Sequence, residues 1–190
     1  MQLPEPCEET SEAFKAGFRT IADITRERVR RAAKQIKEKN ATSLDLDGKA
    51  EQDLGFRAFR LAESNLKPWD GKLGNDAKAL AENLTLHIDH IRHDRTPDDI
   101  LFEILLKAGF PLTTHVENLQ IAEKTVYSVA EGTLVICLED ELTFEVIRGI
   151  AELKPERVVM LDSGFAGNDQ LKTNAVQTFK TKGVESFKVV

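Results

Sequence analysis

Four carboxylates offer the most direct route to chemistry in this chain. Glu139, Asp140 and Glu141 follow the apolar run "LVICL", and Asp162 follows "RVVML". Acids at the carboxyl ends of neighbouring strands in an open α/β sheet stand where such sheets bind ligands. Three or four of them together could hold Mg²⁺ through oxygen ligands. A plainer role fits the same residues: Asp140 is placed to cap the helix that follows it, and its neighbours complement the positive end of that helix. The cap is the reading carried forward, with no metal site assigned.

Other groups of residues have equally plain explanations. "DSGFAGNDQLKTN" sets two glycines before a helix, as a phosphate-binding turn would. It lacks the spacing of a P-loop or of a G-x-G-x-x-G turn, so it reads as a packing turn with Asn168 or Asp169 as N-cap. His87, His90 and His93 recur at i, i+3, i+6, whereas paired zinc ligands on a helix favour i, i+4; they read as a solvated flank. Between residues 20 and 39 stand seven cations (Arg26, Arg28, Arg30, Arg31, Lys34, Lys37, Lys39) against three acids (Asp23, Glu27, Glu38). Such a face could meet DNA phosphates, with Arg26, Arg30 and Arg31 as the candidates, and it equally suits a solvated helix. No Ser or Cys sits in a recognisable nucleophile elbow, so no catalytic residue is assigned. Cys7 and Cys137 lack a C-x-x-C spacing and read as reduced thiols of a cytoplasmic protein.

The elements that must position these residues follow from periodicity. Ile21, Ile24, Val29, Ala32 and Ile36 lie near one helical face, predicting a helix over 20–39. A short helix in "ETSEAFKAGF" would be capped by Thr10 or Ser11. Residues 40–53 read as a loop, and "LGFRAFRLAESN" as a strand through Phe56, Ala58 or Phe59, and Leu61. Pro68, Gly71 and Gly74 mark a hinge. Ala77, Leu80, Ala81, Leu84, Ile88 and Ile91 outline a further helix. Thr96, Pro97, Asp98 and Asp99 start the next one, which Gly109 and Pro111 stop. "KTVYSVAEGTLVICLED" predicts two strands joined by a tight turn at Glu131-Gly132. Helices over 141–153 and 168–182 alternate with the strands "RVVML" and "SFKVV", implying parallel strands joined by crossovers. The fold class is therefore α/β: residues 125–190 form a small open sheet, mostly parallel with a hairpin strand at one side, and the breakers at 68–74 mark a domain boundary or hinge before it.

Bulk properties agree with a soluble protein. The 190 residues are 41% apolar and 31% charged with a net charge of −6. That charge gives no global pull toward nucleic acid. No apolar run approaches the ~18–20 residues of a membrane span, and no signal peptide is visible.

Several long runs carry a resemblance: "QLPEPCEETSEAFKAGFRTIADITRERVRRA", "LGFRAFRLAESNLKPWD", "DILFEILLKAGFPLT", "KTVYSVAEGTLVICLED", and "LTFEVIRGI" onward to the last residue. Together they resemble the C-terminal part of the Mod subunits of type III restriction–modification systems, which are β-class adenine-specific DNA methyltransferases. The resemblance implies that residues 1–70 are the tail of a Rossmann-like methyltransferase domain and 75–190 a C-terminal domain. It makes "MQLPEP" the end of the second strand and Glu5 the acid that accepts hydrogen bonds from the ribose hydroxyls of S-adenosylmethionine. The family's Asp-Pro-Pro-Tyr and Phe-x-Gly-x-Gly motifs occur nowhere in these residues, and Ala62 stands where the family tends to carry an acid. The expectation is a truncated Mod subunit, inactive alone, with no cofactor bound by this chain. The partners implied are a second Mod copy, the Res restriction subunit, and DNA in the intact complex. A homo-oligomer is compatible with the same reading, and no membrane contact is expected. The alternative from another class is a free-standing protein-interaction module without catalysis.

Overall fold

The structure is a computed structural model that describes residues 3–42, 53–67, 91–92 and 94–190. These form two compact units, Met1–Ala62 and Glu63–Val190. In the first, Ser11 caps α1 (Glu12–Lys15) by accepting a hydrogen bond from the Phe14 N–H at 3.2 Å. Gly17, at φ 94°, then reverses the chain. The leading residues run back beside the entry to α2 (Ile21–Thr42): the Cys7 N–H donates to the Arg19 carbonyl and the Ile21 N–H to the Glu5 carbonyl, both at 2.9 Å. A capping box opens α2. The Thr20 N–H donates to Asp23 at 2.9 Å and the Asp23 N–H to the Thr20 hydroxyl at 3.2 Å. The Thr20 hydroxyl, which also donates to Asp23 Oδ2 at 2.9 Å, then the Arg26 guanidinium and the Thr20 N–H, hold the Asp23 carboxyl below its ordinary pKa. The expected strand through Phe56, Phe59 and Leu61 does not form; residues 53–62 carry no regular secondary structure. Alternation alone makes no strand where no neighbouring strand pairs with the backbone.

The second unit opens with a clasp. Glu103 accepts hydrogen bonds from the Ser64 hydroxyl at 2.5 Å and the Asn65 N–H at 2.6 Å, and the Asn65 side-chain amide donates to the Asp99 carbonyl at 2.8 Å. Leu66 bridges to Ile91. Helix α3 (Pro97–Lys107) begins as its sequence demands, with Pro97 in the first turn and a reciprocal capping box between Thr96 and Asp99. Its stripe of Ile100, Leu101, Ile104 and Leu105 is buried. Then come β1 (Val116–Ile121), β2 (Lys124–Val129), β3 (Leu134–Cys137), α4 (Phe144–Glu152), β4 (Arg157–Met160), a 3₁₀ turn (Ser163–Phe165), α5 (Asp169–Thr181) and β5 (Ser186–Val189).

The protein is an α/β protein with a five-stranded mixed sheet in the order β1-β2-β3-β4-β5. β1–β2 and β2–β3 pair antiparallel, whereas β3–β4 and β4–β5 pair parallel. The hairpin side is thus one strand wider than expected, because β1 carries no strong strand signal. Its turn to β2 places Ala122 and Glu123 at φ 47° and 66°, a conformation that Asn-Gly or Gly would normally announce. The β2–β3 turn falls where expected, with Ala130, Glu131 and Gly132 all at positive φ.

Side-chain alternation sorts the strands into two cores. Val126, Val135, Cys137, Val158 and Met160 face α4 and α5, while Val129, Leu134, Ile136 and Val159 face α3. Each fully buried aliphatic side chain contributes about 1.5–3 kcal/mol of transfer free energy. The Phe179 and Phe187 rings tilt together at 4.9 Å between centroids, closing the α5–β5 end. Gly149 lets α4 approach β1 so closely that an added Cβ would lie 2.3 Å from the Ile121 Cγ2. Among the described residues no helix is long and apolar enough to cross a membrane. The helix expected through Ala77 to Ile88, the hinge residues Pro68, Gly71 and Gly74, residues 43–52 of the loop, and His87, His90 and His93 lie outside the described residues.

Candidate functional site

Two places carry the residues singled out from the sequence, and each lies within one unit. At the carboxyl ends of β3 and β4, the four acids turn to different duties. The Thr125 N–H donates to Glu139 Oε1 at 3.1 Å. The Ser163 hydroxyl donates to Asp140 Oδ1 at 3.1 Å, while Lys124 Nζ donates to the Asp140 carbonyl at 2.7 Å. Asp162 is ion-paired with Lys172. Glu141 stands exposed at φ 54°. Among the described residues no three His, Cys, Asp or Glu side chains come together as a metal would require.

The cap assigned to Asp140 needs correction. Helix α4 starts at Phe144 and its N-cap is Thr143, whose hydroxyl accepts from the Val146 N–H at 3.4 Å. Asp140 lies a turn too early, and its carboxylate instead ties the β3 tip to the β4 tip through Ser163. Asn168 does cap α5, accepting from the Leu171 N–H at 2.9 Å. The glycine-bearing loop before it packs closely: Gly164 lies against the Glu139 carbonyl, 2.6 Å from where a Cβ would stand, and its own carbonyl accepts from the Leu142 N–H at 2.7 Å.

Topology places no switch point at these tips. A ligand cleft in an open sheet arises where neighbouring strands send their connecting helices to opposite faces. Here α4 and α5, which follow β3 and β4, pack on the same face. Leu142 and Phe165 fill the space between the tips and are buried there.

The first unit holds Glu5 and the α2 cations. Glu5 is exposed, and its backbone carbonyl is engaged with the Ile21 N–H. On α2, Arg26 pairs with Asp23, and Arg31 Nε pairs with Glu27 at 2.7 Å. Arg30 lies 4.0 Å from the second Glu27 oxygen and 5.9 Å from the centre of the Phe56 ring. All three candidate arginines therefore have partners one turn away, at the i,i+3 and i,i+4 spacings that the sequence itself displays.

Sequence reasoning missed the state of the opposite α2 face. Its apolar stripe does not enter a core: Ile21, Val29 and Ile36 keep 37%, 41% and 39% of their surface exposed, and Ala32 is exposed as well. A helical stripe of this width normally faces a packed layer. The arrangement can dock against another apolar surface.

No protein-family model matches the chain. It is similar to the Mod subunit of the Escherichia coli type III restriction-modification enzyme EcoP15I, with 24% identity over 96% of this chain. The chain spans about a quarter of that relative's length, 26%. The similarity covers both units and supports a Mod-like relationship.

Proposed function

We propose that this chain is the C-terminal portion of a type III restriction–modification, adenine-N6-specific DNA methyltransferase, and that it serves subunit assembly. In this reading residues 1–70 belong to the methyltransferase domain and 75–190 to a C-terminal domain. The observation that carries the assembly role is the half-exposed apolar stripe of α2. A 22-residue helix is rarely left with such a face open to water. The layer that belongs there comes from the remainder of a Mod polypeptide, or from a second Mod copy or the Res subunit. A second copy of this chain can take the same position, which makes it a homo-oligomer. Arg26, Arg30 and Arg31, held in shape by Asp23 and Glu27, remain the candidates for the DNA backbone.

The 190 residues do not methylate DNA by themselves. S-adenosylmethionine belongs to the intact enzyme, where Glu5 would accept from its ribose hydroxyls; the described residues around it form no strand, only a bridge between Pro6 and Thr20. One carboxylate secures neither the methionine end of the cofactor nor a flipped adenine. Isothermal titration of the chain with S-adenosylmethionine is expected to show no micromolar binding; micromolar affinity would overturn this conclusion. The competing reading, a free-standing interaction module, is favoured by the same lack of catalytic motifs. The two separate on mixing the chain with a Mod polypeptide that carries those motifs: stable complex formation supports the Mod reading, and its failure supports the module.

A further inference from the structure

Charge is divided unevenly along the chain. Residues 63–190 carry 21 acidic and 14 basic side chains, whereas residues 19–62 carry 7 acidic and 11 basic ones. An acidic protein thus holds a basic stretch, and α2 gathers most of it. Arg26, Arg30, Lys34 and Lys37 recur on this helix at i, i+4, i+8 and i+11, and all four are exposed. At about 3.6 residues per turn they fall within about 80° of one another, centred roughly 135° away from Ile21, Val29, Ala32 and Ile36. They form a line about 16 Å long, on a different side of α2 from its apolar stripe. Asp23, Glu27 and Glu38 pair with three of the four along one flank. Pairs as exposed as these are weak, so a phosphate can take the acid's place.

An aromatic ring stands beside this line. Phe56, in the irregular segment 53–62, lies with its ring centre 5.9 Å from the Arg30 guanidinium carbon and keeps 42% of its surface exposed. An open ring next to a row of cations offers a nucleotide two contacts of different kinds. The ring stacks a base, and the cations hold the phosphates that flank it. In a duplex the faces of the bases are covered by neighbouring base pairs, so a duplex meets the cations alone. Only an unpaired strand uses both.

We infer that α2 and Phe56 form a binding surface for single-stranded nucleic acid, with phosphates along Arg26, Arg30, Lys34 and Lys37 and one base stacked on Phe56. The inference deepens the assignment of the α2 arginines to a DNA backbone and rests on it. It leaves out Arg31, which pairs with Glu27 on the far side of the acidic flank. It concerns the first unit alone, and the apolar stripe stays available for assembly while a strand is bound.

The test uses the full chain and fluorescein-labelled oligo(dT) and oligo(U) of about 16 nucleotides, beside the dT·dA duplex of the same length. Anisotropy is read over a salt series. Both single strands are expected to bind at least about fivefold tighter than the duplex, and the tighter of the two names the natural strand. With four phosphate contacts, log K for a single strand should fall against log salt with a slope of about −3, and Lys37→Gln should reduce that slope by about 0.7. Phe56→Leu should weaken the single strands by about fivefold or more at unchanged slope and leave the duplex as it was, and Phe56→Tyr should restore the loss. A duplex bound as tightly as the single strands, or Phe56→Leu without a selective effect, overturns the inference and leaves the DNA-backbone assignment standing. Failure of all three nucleic acids to bind overturns both.

Discussion

Val29→Glu tests the role of α2 most directly. Ile21, Val29 and Ile36 each retain about two-fifths of their surface in water. Burying a whole aliphatic side chain is worth about 1.5–3 kcal/mol, so covering what is left exposed adds roughly 0.6–1.2 kcal/mol for each. The three together supply roughly 2–4 kcal/mol to an association that buries the stripe. Val29→Glu removes one such share and forces a carboxylate into the interface, a further cost of about 1–3 kcal/mol. The sum is a loss of roughly 2–4 kcal/mol, which weakens association by about thirtyfold or more, since each 1.4 kcal/mol is tenfold. The folded chain itself should hardly notice, because an exposed helix position away from packed features shifts stability by about 0.5 kcal/mol or less. Sedimentation velocity over a concentration series reads the association, and thermal denaturation by circular dichroism reads the fold. An unchanged association constant refutes the reasoning. A fall of several degrees in Tm refutes it as well, by showing that the stripe is already packed.

Three other perturbations follow from the second unit. Phe179→Ala removes a buried ring stacked on Phe187 and should cost about 3–5 kcal/mol, measured by urea denaturation; a loss below 1 kcal/mol would contradict the packing described. Gly164→Ala places a methyl against the Glu139 carbonyl and Leu142 and should destabilise by about 1–3 kcal/mol, visible in the same assay. Burial alone would raise the Glu103 carboxyl, but bonds from Lys107, Ser64 and Asn65 outweigh it and hold the group below its ordinary range. Its contribution is therefore present above the unfolded pKa of roughly 4.3 and lost as pH falls through the lower folded value. The Tm gap between wild type and Glu103→Gln should be largest near neutrality and close in acid; a gap that widens in acid would contradict this.

Legibility in the sequence followed the strength of local rules. Helix α3 was readable because Thr96, Pro97 and Asp99 act on their own backbone within one turn. The runs at β3 and β4 were readable because both faces of those strands are covered. β1 was not, since Ala122 and Glu123 hold a turn that their residue types do not advertise, and its pairing with β2 makes up the difference. The strand expected near Phe59 failed for the converse reason: a suitable pattern met no partner strand. At the candidate site, the pairing of Arg26 with Asp23 and of Arg31 with Glu27 stands in the spacing. The exposed stripe behind them could not be read, because periodicity locates an apolar face without saying what covers it. The role of Glu5 was reached by resemblance.

The strand order of the sheet bears on how quickly it forms. Every strand lies beside its predecessor in the chain, so each ladder of the sheet joins strands that are consecutive in sequence. Consecutive pairing keeps the separations within the sheet low, a condition that favours fast folding. As a polypeptide emerging from the ribosome, residues 116–137 could pair first as a meander, with each later helix–strand unit adding to an edge already in place.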